Sequence, residues 1–68
     1  MDTFYDRLVK EKKELDDRID KLEAFMRGNA ALKLSSEEYA LLEIQYWLMK
    51  GYSSTLSRRI NLVTIKES

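Results

Sequence analysis

The sequence predicts an all-α fold, an antiparallel two-helix hairpin with helices over about 3–27 and 36–63, assembling into a helical-bundle oligomer. Three observations predict it. Apolar residues recur at helical spacing in two long segments, Pro is absent, and the clearest interruption is Gly28-Asn29. The whole chain, 1–68, reads as a single hairpin domain, with 28–35 as the inter-helix loop and 64–68 as a fraying tail.

In the first segment Leu8, Leu15 and Leu22 share one heptad position, and Tyr5, Lys12, Ile19 and Met26 share the other. Phe4, Val9 and Phe25 widen that seam. Lys10, Lys13, Glu14, Asp17, Asp20 and Glu23 take the outer face, with Asp6/Lys10, Glu14/Arg18 and Asp17/Lys21 at four-residue spacing. Each such pair contributes only about 0.2–0.5 kcal/mol, so they serve helicity and solubility. Arg27 suits the negative end of the helix, and Gly28 or Asn29 is expected to close it in the left-handed conformation.

Ala30 to Leu34 bridges to Ser35-Ser36-Glu37-Glu38, where Ser35 and Glu38 have the spacing of a capping box. In the helix that follows, Tyr39, Leu42, Tyr46, Met49, Leu56, Ile60 and Val63 form one seam, broken by Ser53. A second stripe of Leu41, Ile44 and Leu48, with Trp47 and Tyr52 slightly offset, runs beside it. One partner helix cannot cover both. Leaving the second stripe wet forgoes about 1.5–3 kcal/mol per large side chain, so a second copy is expected to cover it. Leu41, Ile44, Trp47, Leu48 and Gly51 are therefore the expected oligomer interface. Gly51 lies mid-helix, where glycine costs about 1 kcal/mol relative to Ala, and implies a close helix crossing or a ligand against the backbone.

Composition narrows the function. Twelve basic and twelve acidic residues give a formal net charge of zero, which argues against duplex nucleic acid and anionic membranes as partners. No stretch is apolar enough to span a bilayer, and Met1-Asp2-Thr3-Phe4-Tyr5-Asp6 is not a signal-peptide pattern, so a soluble cytoplasmic protein is expected. Without Cys or His there is no disulfide, no thiolate metal site and no imidazole base. The serines sit at caps or on helix surfaces, and Glu11, Glu43 and Asp16-Asp17 read as solvated acids rather than cation ligands. No catalytic residue, metal or cofactor is expected, and the protein reads as a non-enzymatic binding protein.

Folding the hairpin sets the start of the first helix beside the end of the second. Phe4, Tyr5, Arg7 and Lys10 are then expected near Ser53, Leu56, Arg58 and Arg59. Lys50 to Arg59 holds three cations and no acid. Aromatic rings, hydroxyls and Arg suit a stacked base and a phosphate, so Tyr5, Arg7, Tyr52, Arg58 and Arg59 are the candidate ligand residues. The bland alternative is that Arg58 and Arg59 complement the helix terminus and pair with Asp2 or Asp6. Lys12 in the seam, with Gln45 and Ser53 facing it, reads as a polar insertion that fixes register and assembly.

The pattern Phe4-x-x-Arg7-Leu8-Val9-x-Glu11-x-x-x-Leu15-x-x-Arg18-Ile19-x-Lys21-Leu22-x-x-Phe25, then Leu41-Leu42-x-x-Gln45-x-x-x-Met49-x-x-Tyr52-x-x-x-Leu56-x-x-Arg59-Ile60, resembles a family of short helical proteins of tailed bacteriophages, including crAss-like phages. Arg7, Gln45, Tyr52 and Arg59 lie outside the heptad and distinguish the resemblance. It supplies no catalytic residue. It implies the cytosol of a bacterial host and an accessory role: a homo-oligomer that sequesters a nucleotide-type immune signal, such as a cyclic nucleotide or ADP-ribose derivative. The alternative is a coiled-coil-like module that docks a host defence protein or a phage protein.

Overall fold

The computed structural model describes residues 3–67, with side chains through Ile65. Two antiparallel helices, α1 (Phe4–Arg27) and α2 (Ser36–Glu67), are joined by a short 3-10 helix, Asn29–Lys33, and no strand occurs among the described residues. The hairpin measures 49 × 19 × 13 Å. The smallest dimension is about one helix diameter, so no third layer covers the faces that α1 and α2 turn away from each other.

Each helix starts where its sequence supplies a cap. Thr3 accepts from the Asp6 N–H while Asp6 accepts from the Thr3 N–H, a capping box that starts α1. Ser35 and Glu38 do the same for α2: the Glu38 N–H donates to Ser35 Oγ at 3.1 Å and the Ser35 N–H to Glu38 Oε1 at 3.0 Å. These bonds to the ionised acid hold the Glu38 carboxyl below its usual range, the Ser35 backbone N–H being the larger cause.

The turn departs from the left-handed closure expected at Gly28 or Asn29. Gly28 is extended, at φ −86° and ψ 169°, and no described residue has positive φ. Its N–H donates to the Phe25 carbonyl, and Ala31 N–H then donates to the Gly28 carbonyl. The resulting 3-10 turn tucks Ala31 to 4% exposure between the helix ends. A tight 3-10 turn thus satisfies the carbonyls that a left-handed residue would otherwise satisfy.

The core is the seam read from the heptads. Leu8, Leu15 and Ile19 of α1 enclose Leu56 of α2, and Tyr46, Met49, Ile60 and Val63 pack against them. α2 runs unbroken through Gly51 and on to Glu67, past residue 63 where the periodicity places its end. Glycine's penalty of about 1 kcal/mol is smaller than the loss of burying Leu56, Ile60 and Val63 beyond it. Thr64 helps the last turn by donating to the Ile60 carbonyl at 2.9 Å.

The register follows the fold point at 30–34 read from the sequence. Tyr39 Oη donates to the Met26 carbonyl, Ser53 meets Asp16, and Arg59 meets Phe4. Ser53 therefore sits level with Lys12 and Asp16, facing the seam lysine as the heptads imply, while Arg59 lies at the Phe4 end.

Candidate functional site

At the open end of the hairpin, the Thr3 capping box fixes the first turn of α1 and so the position of Phe4. The Arg59 guanidinium lies over the Phe4 ring, 5.7 Å from its centroid. Both side chains stay accessible, Phe4 at 58%. An aromatic face with a guanidinium above it can hold a flat ring by stacking and an anionic oxygen by charge-assisted hydrogen bonds.

The candidate ligand residues are partly brought together here. Tyr5 is half-buried in the first turn of α1, and Arg7 and Arg58 are exposed at the same end. Tyr52 lies on the same face of α2 as Arg59 but one heptad earlier, about 10 Å along the axis. Among the described residues neither Arg58 nor Arg59 enters an ion pair; the pairs that form are Lys12–Asp16, Lys21–Asp17 and Arg27–Glu23. Asp2 lies outside the described residues. Phe4 was not singled out as a ligand residue, and its signal was available: the register that opposes the chain start to Arg59 also opposes it to an aromatic ring.

Midway along the hairpin, Lys12, Asp16 and Ser53 form a polar triangle across the helices. Lys12 Nζ donates to Asp16 Oδ2 at 2.5 Å and to Ser53 Oγ at 3.3 Å, and Ser53 Oγ donates to Asp16 Oδ1 at 2.5 Å. The Lys12 bond first, and the Ser53 bond second, hold the Asp16 carboxyl below the usual carboxylate range. Gln45, expected beside this insertion, is exposed and reaches only the Met49 sulfur. Asp16 is thereby committed to Lys12 and Ser53, and no group of three or more acids that could hold a metal ion occurs among the described residues.

The second apolar stripe of α2 is open. Leu41 is 61%, Ile44 56%, Trp47 66% and Leu48 70% exposed. The Trp47 ring rests edge-on against Tyr46, centroids 5.2 Å apart, which orients it without covering it. A Cβ at Gly51 would meet nothing within 4 Å, so the close packing that a mid-helix glycine implies does not come from within the hairpin.

A broad concavity of about 790 Å³ lies on the other flank, lined by Val9, Lys12, Lys13, Asp16 and Ile60 among others, and includes none of the five candidate ligand residues. No described helix is long and apolar enough to cross a membrane.

Two helices, a tight turn and no cysteine place few limits on family, so the full-length pattern decides. A profile of the Sequestin family matches residues 2–62, nearly the whole hairpin. The chain belongs to the Sequestin family. No curated protein and no solved structure matches it. The Sequestin match takes in both helices, the polar triangle, the open stripe and the Phe4–Arg59 end alike.

Proposed function

We propose that this Sequestin-family chain is a non-enzymatic phage accessory protein that counters host defence in the bacterial cytosol. It does so by binding and sequestering a small nucleotide-type immune signal, of the cyclic nucleotide or ADP-ribose type, as a homo-oligomer. The observation that carries this reading is the Arg59 guanidinium over the Phe4 ring, with Arg58 and Tyr52 accessible on the same helix and no acid between Lys50 and Arg59. A base stacks on a ring and its phosphate takes the guanidinium, which together suit a nucleotide better than either group alone. The family's name denotes sequestration, and a sequestering protein needs a site and no reacting group.

Thermal melting against cyclic dinucleotides, cyclic trinucleotides and ADP-ribose derivatives tests it. A ligand at about 100 times its Kd stabilises the fold by about 2.7 kcal/mol, a clear upward shift of Tm. A panel without any shift excludes sequestration of these signals.

The open Leu41–Leu48 stripe favours a second reading, an interaction module that docks a helix of a host defence protein or a phage protein. Under that reading Trp47→Ala abolishes capture of the partner and Arg59→Ala leaves it unchanged. Under the nucleotide reading Arg59→Ala removes the Tm shift.

A further inference from the structure

We propose that α2 pairs antiparallel with α2 of a second copy, crossing at Gly51-Tyr52, so that Arg59 of each copy lies against Ile44 of the other. The ligand part of this proposal rests on the nucleotide reading above. The pairing itself does not.

Leu41, Ile44, Leu48, Tyr52, Arg59 and Leu62 fall on one face of α2 at about 100° per residue. Most of the candidate interface therefore shares one face with the candidate ligand residues Tyr52 and Arg59. Four of these six are large apolar side chains between 56% and 70% exposed. The stripe runs about 30 Å along α2, on the scale of the largest apolar patch of a typical monomer, which is often functional.

Three features choose a second copy in this orientation. The first is charge. On or beside this face the charged residues are Glu37 and Glu38 near its start and Arg58 and Arg59 near its end, whereas Glu43 and Lys50 turn toward α1. Antiparallel pairing brings the acidic end of each copy toward the basic end of the other, whereas parallel pairing sets Glu37 and Glu38 against themselves at one end and Arg58 and Arg59 at the other. The second is Gly51. A two-fold axis beside it brings the two backbones closest where a side chain is missing and where the hairpin itself has no use for the gap. The third is register. About that axis Leu48 meets Thr55, Leu41 meets Leu62, and the Arg59 stem lies along Ile44, pairing apolar with apolar and leaving the guanidinium over Phe4. Each Phe4–Arg59 end is then walled on its open side by the other copy.

The chain has no cysteine, so single-cysteine chains report the geometry. Oxidising a mixture of Leu41→Cys and Leu62→Cys chains is expected to give the mixed disulfide dimer, with each chain alone remaining monomeric on a denaturing gel. Self-cross-linking of each chain alone, or no cross-link in the mixture, overturns the pairing. Ile44 lies about 22 Å along α2 from Arg59 of its own chain, too far to touch the same ligand. Ile44→Asp, exposed and with helicity checked by circular dichroism, is expected to weaken binding of cyclic di-AMP by about tenfold or more, as loss of a central contact does. Unchanged affinity overturns the shared site. A native chain that binds none of the nucleotide panel overturns the nucleotide reading and the shared site with it, while the cross-links still decide the pairing.

Discussion

Ser53 of α2 donates a 2.5 Å hydrogen bond to the Asp16 carboxylate of α1, and Lys12 holds the same carboxylate at 2.5 Å. This contact sits in the middle of an otherwise apolar seam, where Leu8, Leu15, Ile19 and Leu56 are interchangeable enough to permit a heptad slip. A slip would face Lys12 and Asp16 with Tyr46 or Ile60 in place of the serine and leave the carboxylate without its hydroxyl donor. The triangle therefore favours the observed register over a one-heptad slip.

Ser53→Ala is expected to destabilise the hairpin by about 1 kcal/mol, the net contribution of one partly exposed hydrogen bond to a charged group after solvent screening. The urea midpoint, read at one fixed protein concentration, checks it. An unchanged midpoint shows that apolar packing alone sets the register.

Asp16 also links stability to pH. Its folded pKa is lower than its unfolded value, so its contribution is complete above the ordinary carboxylate pKa of about 3.9 and is lost as pH falls through the lower folded value. Stability is expected to be flat in this group from pH 7 to about pH 5 and to fall below about pH 4. Asp16→Asn should shallow that acid limb, leaving the residue due to Glu38, whose carboxyl is also held low. Chemical denaturation at stepped pH measures it, and an identical limb in the variant contradicts the assignment.

Leu56 is 0% exposed, the one large side chain fully enclosed among the described residues. Leu56→Ala should cost about 2–5 kcal/mol. In a chain this short that approaches the whole stability, so loss of the cooperative thermal transition is expected. Leu48→Ala, 70% exposed in the single hairpin, should leave folding intact at low concentration and act on assembly.

Gly51→Ala separates the two levels. Added helix propensity, with nothing within 4 Å of the new Cβ, should stabilise the isolated hairpin by about 0.5–1 kcal/mol. The same methyl group would stand between the two backbones of the antiparallel pair and raise its dissociation constant. Sedimentation equilibrium and circular dichroism on one sample read both effects; tighter association would show that Gly51 is not a crossing point.

Much of this was legible in the chain. The heptads of Leu8, Leu15 and Ile19 against Leu56 and Ile60 named the core, and the Ser35–Glu38 box named the start of α2, because both depend on spacing alone. The Gly28 turn was less legible: an extended glycine followed by a 3-10 turn closes a helix as well as a left-handed residue does, and nothing in Gly28-Asn29-Ala30-Ala31 chooses between them. Ser53 opposite Lys12 was legible from the seam, whereas its bond to Asp16 was not, because Asp16 lies beside the heptad positions and is drawn in by the lysine four residues earlier. Of the candidate ligand residues, Arg59 gains a defined neighbour in Phe4, whereas Tyr52 stands one heptad away because seven positions return to the same face without bringing side chains together.

The most direct measurement is recovery of the captured signal. A cyclic dinucleotide that raises Tm would be incubated with the chain, the complex freed of unbound nucleotide by gel filtration, the protein heat-denatured and the released compound identified by mass spectrometry. The sequestration account predicts the intact nucleotide, in fixed ratio to the chain and absent after Arg59→Ala. A hydrolysed product, or release unaltered by Arg59→Ala, would contradict it.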